Sequence, residues 1–224
     1  MDTVYNELKR PPGELVDSFR EVLKQYSPSC LVTDARRRVG AIGGLLPVKP
    51  GHKIAGPALT INLSIDDLVD CMPVLARSQP GDIVVVSCQG TWQTAMWGGL
   101  MSTLSLKAGI AGGIVDGAIR DVDEIRDLDF PVWYRGTVPR PSPTAVHNRT
   151  EPVQVNVPVV VRGQVINPGD ILVADENGIA VVPPELGEEV LAGTRAQIEK
   201  EKVVRGKISS GATLAELLAE FGHL

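Results

Sequence analysis

From residue 53 onward the apolar positions fall into two alternating rhythms. Lys53–Asn62 (KIAGPALTIN), Ile83–Ser87, Ile110–Val115 and Val132–Tyr134 are short, nearly continuous apolar runs. Such runs suit strands covered on both faces. Between them, Asp66–Arg77 carries Leu68, Met72 and Leu75 at helical spacing, and Val122–Leu128 reads as a short helix. Gln93–Ala108 reads as one helix, or as two helical pieces divided near Gly98-Gly99, ending at Gly109. Regular alternation of strand and helix over 53–135 predicts α/β layering. Ahead of it, Glu14–Gln25 is amphipathic, with Leu15, Phe19, Val22 and Leu23 on one face. Ser29–Arg38 is a second short helix, begun near Pro28 and stopped at Gly40. Beyond residue 135 the chain turns β-rich: Val153–Val155, Val159–Val161, Ile171–Ala174 and Ile179–Val182. Pro184–Arg205 and Leu214–Phe221 read as closing helices. No linker divides the chain, so one domain is expected, with a core over about residues 30–185 and helical extensions over 1–29 and 186–224.

Two turn-plus-strand units echo each other, QPGDIVVVS (79–87) and NPGDILVAD (167–175). Asp82 and Asp170 are turn residues on this reading. Asp175 and Asn177 stand in DENG, a hairpin signal ahead of Gly178.

Composition narrows the function classes. Among 224 residues, 43 % are hydrophobic but only 4 % aromatic, so the core is built from aliphatic side chains. Net charge is −5, and Arg36-Arg37-Arg38 is the densest basic cluster. Nucleic acid is excluded as a primary partner, because phosphate binding needs concentrated positive charge. Cys30, Cys71 and Cys88 are widely spaced, as expected of reduced thiols. The N-terminus has no apolar run of a secretory signal, and no stretch approaches the ~20 residues of a membrane span. A cytoplasmic location away from membranes is expected.

The chemistry concentrates in WGGLMSTLSLKAGIAGGIVDGAIRD (97–121). Gly98-Gly99 opens a helical pattern, and free N–H groups at a helix start can receive an anion. Arg120 can hold a carboxylate or keto oxygen while Asp121 takes a divalent cation. Twenty residues separate Gly99 from Arg120, enough for one helix and one strand to return to the same sheet edge. Asp116, before Gly117, is read as a structural hydrogen-bonding residue. His147 is a single loop imidazole without a second ligand at metal spacing, and Trp92 and Trp97 are read as packing residues flanking the site.

AGPALTI (55–61), PGDIVVVSCQG (80–90), AMWGGL (95–100), GGIVDGAIRD (112–121), FPVW (130–133) and PGDILVADENGIAVVP (168–183) together resemble one family. It is the class II pyruvate aldolases, which include 4-hydroxy-4-methyl-2-oxoglutarate aldolase, also called 4-carboxy-4-hydroxy-2-oxoadipate aldolase. The family also contains the regulator of ribonuclease activity A. The resemblance implies an α-β-β-α sandwich of the swivelling-domain type, a homotrimer or homohexamer with the site at a subunit interface, and Mg²⁺ or Mn²⁺ as cofactor. It implies Asp121 as the direct metal ligand, Arg120 on the keto oxygen, and Gly98, Gly99, Leu100 and Met101 as the loop that binds the pyruvate carboxylate. The amides of Leu100 and Met101 would be the donors. Glu201, or less fittingly Glu199, would reach the site from a neighbouring subunit as acid/base.

One position departs from the pattern. The aldolases carry Asp or Glu where this chain has Gly99, and that acid orients a metal-bound water. The expected reaction is metal-dependent cleavage of a 4-hydroxy-2-oxo acid, or decarboxylation of oxaloacetate, through a pyruvate enolate. The alternative is a non-catalytic protein-binding regulator, left open by Gly99. A methyltransferase is rejected, because GAIGGLL (40–46) is not a nucleotide-binding glycine loop.

Overall fold

A computed structural model describes residues 3–63, 72–141 and 152–222. In chain order the elements are β1 (Val4–Tyr5), α1 (Gly13–Val22), α2 (Pro28–Ala35), β2 (Ala41–Ile42), β3 (Leu46–Pro47), β4 (Ile54–Asn62), α3 (Met72–Leu75), β5 (Ile83–Ser87), α4 (Gly99–Lys107), β6 (Gly112–Ile119), α5 (Val122–Asp127) and β7 (Val132–Thr137). They continue with β8 (Gln154–Val155), β9 (Val159–Val161), β10 (Gln164–Ile166), β11 (Ile171–Asp175), β12 (Gly178–Val182), a 3₁₀ turn (Pro184–Leu186), α6 (Gly187–Ser209) and α7 (Leu214–Phe221).

The main sheet runs β2-β12-β11-β4-β5-β6-β7-β3, and β8 pairs with both β4 and β1. Strands β4 to β7 are mutually parallel. The β11–β12 hairpin lies antiparallel to β4. Strand β4 carries the change of direction. Its first half pairs with β11 and its second half with β5, so one long strand belongs to two folded-over parts of the sheet.

Strict alternation of side chains then builds three apolar layers. Leu59, Ile61, Val84, Val86, Val115 and Val132 face outward against Met96, Trp97, Ile125 and Phe130. Their neighbours Ala58, Ile83, Val85, Ile114 and Trp133 face inward against Leu172, Ala174, Ile179 and Val181. On the far side, Ile171, Val173, Ala180 and Val182 meet Leu15, Phe19 and Val22 of α1, Val32 of α2, and Val190 and Leu191 of α6. Helix, sheet, sheet, helix is the resulting order, which is the expected α-β-β-α sandwich. Strands sandwiched between layers need apolar side chains on both faces, hence the continuous runs.

Most elements match their expected positions, with two differences. Gln93–Gly98 is not helical. The Ala95 N–H donates to Arg140 O, Met96 N–H to Ala118 O and Arg120 N–H to Trp97 O. Those extended contacts fasten the segment alongside β6, and the helix begins only at Gly99. Short strands β1, β2, β3 and β10 have no periodic signal, because a strand of two or three residues shows no pattern. Of the helix expected over 66–77, only Met72–Leu75 lies within the described residues; Leu68, Cys71 and His147 lie outside them.

The two PGD units share one turn. The carboxylate of Asp82 accepts from Gln79 N–H at 2.8 Å, and that of Asp170 from Asn167 N–H at 2.8 Å. Asp82 also receives Arg10 Nε at 2.9 Å and Nη2 at 2.6 Å, which pins the N-terminal arm to the sheet. Asp175 accepts from Asn177 N–H at 2.7 Å inside the β11–β12 hairpin, and from Ser29 N–H at 2.9 Å at the start of α2. No helix among the described residues is long and apolar enough to cross a membrane.

Candidate active site

Helix α4 runs back along the sheet after Trp97, and β6 returns to its start. Gly98 therefore meets Arg120-Asp121 at the carboxyl end of the parallel strands, where ligands of such sheets bind. The Gly99 N–H donates to Asp121 Oδ2 at 3.1 Å, and Arg120 Nε stands 3.4 Å from the same oxygen. Both Arg120 and Asp121 keep about two-fifths of their side chains exposed (41 % and 40 %), so a ligand can reach them.

Local structure forces this closeness. A Cβ added at Gly98 would lie 2.7 Å from Asp121 Oδ2, so any larger residue would push the carboxylate away. Trp97 is anchored beneath the loop. Its indole N–H donates to Ser102 Oγ at 2.8 Å, and its ring stacks on Phe130 at 6.4 Å between centroids. Asp121 takes φ +56°, the left-handed region that β-carbon residues seldom occupy. It stands at the N-cap of α5 yet makes no capping bond there. Its carboxylate serves Gly99 instead, so the left-handed turn aims it at the Gly98-Gly99 loop.

The first turn of α4 offers further donors. The N–H groups of Leu100 and Met101 have no acceptor among the described residues, as expected of a helix start. Leu100 is 70 % exposed, while Met101 is half-buried against the outer core. Leu104 and Leu106 leave further apolar surface uncovered on the same helix.

The residue that sequence reasoning missed is Glu124. An ideal Cβ on Gly99 would fall 2.0 Å from Glu124 Oε2 and 2.2 Å from its Cδ. The carboxylate of Glu124 thus fills the space that a side chain at position 99 would take. Glu124 follows Asp121 by three residues on α5, close to one helical turn, so both acids lie beside the Gly-Gly pair. Spacing within RDVDE (120–124) was the available signal.

Other expected residues lie elsewhere. Glu201 is on α6, where Gln197 Nε2 donates to it at 3.4 Å and Arg205 Nη2 at 3.0 Å. Glu199 stands 3.9 Å from Lys202. No described contact joins either glutamate to Arg120 or Asp121 within one chain. Asp116 is structural as read, since its carboxylate accepts from Arg135 Nε at 2.6 Å. Trp97 is buried core, whereas Trp92 is 56 % exposed and lies over Gly136.

The donor set fits a hard divalent cation. Such ions take carboxylate oxygens and keep several waters. Asp121 and Glu124 supply two carboxylates beside a backbone cradle too tight for a side chain. No cluster of three or more His, Cys, Asp or Glu side chains among the described residues holds a metal by itself, so water would complete the shell.

A family model described as "RraA-like: Aldolase/RraA" matches residues 29–181. The chain belongs to this RraA-like family. Its match includes the strands from β2 to β11 and the Gly98–Glu124 site. Among relatives, the Thermus thermophilus "4-hydroxy-4-methyl-2-oxoglutarate aldolase" is 31 % identical over 131 residues, covering 58 % of this chain and 76 % of that protein. "Protein DlpA" of Legionella pneumophila is 31 % identical over 221 residues, covering 92 % of this chain but 34 % of that protein. The chain thus spans about a third of DlpA's length. Among solved structures, Streptomyces coelicolor RraAS2, described as an unusual member of the RNase ES inhibitor RraA protein family, superposes with a TM-score of 0.76 at 29 % identity. That match covers 89 % of this chain and 99 % of RraAS2. RraA-like proteins therefore include members named for an aldolase and members named for ribonuclease inhibition.

Proposed function

We propose that this RraA-like chain is a divalent-metal-dependent lyase that cleaves a 4-hydroxy-2-oxo acid to pyruvate, with oxaloacetate decarboxylation open to the same site. The observation that carries this reading is the carboxylate of Glu124 standing in the space of a Gly99 side chain, beside Asp121 and Arg120. It returns an acid to the one place where the sequence lacks it.

Each residue then has a task. The free amides of Leu100 and Met101 bind the pyruvate carboxylate at the start of α4. Gly98 and Gly99 form the turn of that loop and leave the space beside it to the Asp121 and Glu124 carboxylates, because neither carries a side chain to displace them. Arg120 donates to the keto oxygen and stabilises the charge that grows there as the C3–C4 bond breaks. Asp121 and Glu124 would hold Mg²⁺ or Mn²⁺, which when bound supplies positive charge opposite the enolate oxygen. Glu124 also orients water for proton transfer. One proton leaves the C4 hydroxyl as the carbonyl product forms, and another is delivered to C3 to give the pyruvate methyl group. Glu201 is proposed to join from a neighbouring subunit of a homotrimer or homohexamer. Exposed Leu100, Leu104 and Leu106 on α4 support such a contact at the site's rim.

A regulatory role is the second reading, favoured by the description of RraAS2. Its sequence support was the missing acid at position 99. Glu124 removes most of that support.

The test is pyruvate release from oxaloacetate and a panel of 4-hydroxy-2-oxo acids, followed with lactate dehydrogenase. Release is expected only with Mg²⁺ or Mn²⁺ and is lost in EDTA. No release above the metal-only blank across the panel would overturn the lyase reading.

A further inference from the structure

A second polar cavity opens at the same sheet edge but on the opposite face. Four neighbouring parallel strands each carry a polar residue at one level toward their carboxyl ends: Asn62 on β4, Ser87 on β5, Asp116 on β6 and Arg135 on β7. Asn62 pairs with Ser87 in register, and Val115 with Tyr134 one step before Asp116 and Arg135. Below this row, the same face carries Thr60, whose hydroxyl donates to Val157 O at 2.6 Å, and is otherwise apolar at Ile83, Val85, Ile114 and Trp133. Tyr134 points the other way, toward the outer core beside the candidate active site. Partners within the chain cover most of this row: the Ser87 hydroxyl donates to Val160 O at 2.8 Å, Asn62 Nδ2 to Gln154 Oε1 at 3.5 Å, and Asp116 accepts from Arg135 Nε at 2.6 Å, so what is left open is the rest of the Arg135 guanidinium.

The β9–β10 hairpin roofs the row and brings Arg162. The space beneath it is an open pocket of about 430 Å³, bounded by Asn62, Ser87, Gln89, Asp116, Arg135 and Arg162 among others. None of these lines the groove at Arg120 and Asp121.

Arg135 is held in a definite pose. Its Nε edge is occupied by Asp116 Oδ1 at 2.6 Å, and Asp116 is buried. Its flat face rests on Gly90, where an added Cβ would lie 2.6 Å from Cζ, 2.7 Å from Nη1 and 2.9 Å from Nη2. Gly90 also has φ +72°, so glycine is required there twice over. Face and Nε edge are thus both taken. The Nη1–Nη2 edge has no acceptor among the described residues and belongs to the cavity lining. That edge matches the two oxygens of a carboxylate. Charge agrees, since two guanidinium groups face one carboxylate already engaged by Arg135.

We infer that this cavity binds a short-chain carboxylate, gripped by the Arg135 edge, with Arg162 opposing the charge and the amides of Asn62 and Gln89 as further donors. The inference is independent of the lyase reaction, because it uses no residue of the Gly98–Glu124 site.

Calorimetric titration of the full chain with succinate, in EDTA, tests it. Expected is one binding event that persists in Arg120→Met and weakens by about tenfold or more in Asp116→Asn/Arg135→Gln. The double change avoids leaving one buried charge alone. Arg162→Gln, on the exposed hairpin, is the second variant and is expected to weaken binding severalfold without touching the core. Circular dichroism checks that each variant is folded. Absence of binding to the native chain, binding lost in Arg120→Met, or native affinity in Arg162→Gln would overturn the inference. Tighter binding of inorganic phosphate in a parallel titration would overturn the assignment to a carboxylate.

Discussion

Asp121 and Glu124, the acids proposed to hold the metal, are placed on different physical grounds. Asp121 is fixed by backbone strain and by the Gly99 N–H, whereas Glu124 is fixed by the absence of a side chain at Gly99. Asp121→Ala is expected to abolish metal-dependent turnover and leave the far-ultraviolet circular dichroism spectrum unchanged; unchanged turnover would place the metal elsewhere. Glu124→Gln keeps the shape but removes the charge, and is expected to lower kcat by about 10²-fold, the usual worth of a positioned acid/base. Gly99→Asp drives a side chain into Glu124 and is expected to reduce activity rather than raise it. Arg120, Asp121 and the glycine pair were legible in the sequence because they are contiguous motifs whose chemistry does not depend on a distant partner. Glu124 was not, because a search for an acid at position 99 cannot see that an acid three residues beyond Asp121 reaches the same space. Its direction depends on the left-handed turn at Asp121, which no composition or periodicity reports.

Helices and strands differed in how plainly they could be read. Strand β5 has a five-residue apolar run with both faces buried, and its limits match Ile83–Ser87. Segment 93–98 misled because it runs without a break into the helix that starts at Gly99, while its backbone bonds to Ala118, Arg120 and Arg140 instead. Phe130, fully buried and stacked on Trp97, joins α5 to the loop before α4. Phe130→Ala is expected to cost about 3–5 kcal/mol in urea unfolding, with the midpoint reporting the loss. At the C-terminus, Thr213 and Glu216 form a reciprocal capping box for α7. The Thr213 N–H and hydroxyl hold the Glu216 carboxyl below its ordinary range. A lowered folded value means the stabilisation is present above the unfolded value and is lost as pH falls through the folded one. Helix α7 is therefore expected to fray on acidification, read as faster amide exchange over residues 214–221 than in a neutral reference. Equal exchange after correction for intrinsic rates would contradict the cap's role.

Across the whole chain, the layered core supplies rigidity while both candidate sites sit at the carboxyl ends of β4 to β7, one on each face of the sheet. The proposed contribution of Glu201 requires a neighbour, because within one chain its contacts are to Gln197 and Arg205 on its own helix. Co-expressed Asp121→Ala and Glu201→Gln chains are expected to recover turnover that neither has alone; mixed assemblies no better than either parent would exclude a shared site. The distal half of the substrate is not needed to test the central claim, since every candidate reaction passes through the pyruvate enolate. Incubation with pyruvate in deuterated water, followed by proton NMR of the methyl signal, asks for that enolate directly. Methyl exchange above the metal-only blank is predicted with Mg²⁺ or Mn²⁺, absent in EDTA and in Asp121→Ala and slowed in Glu124→Gln. No exchange by the native chain with either metal would contradict the account.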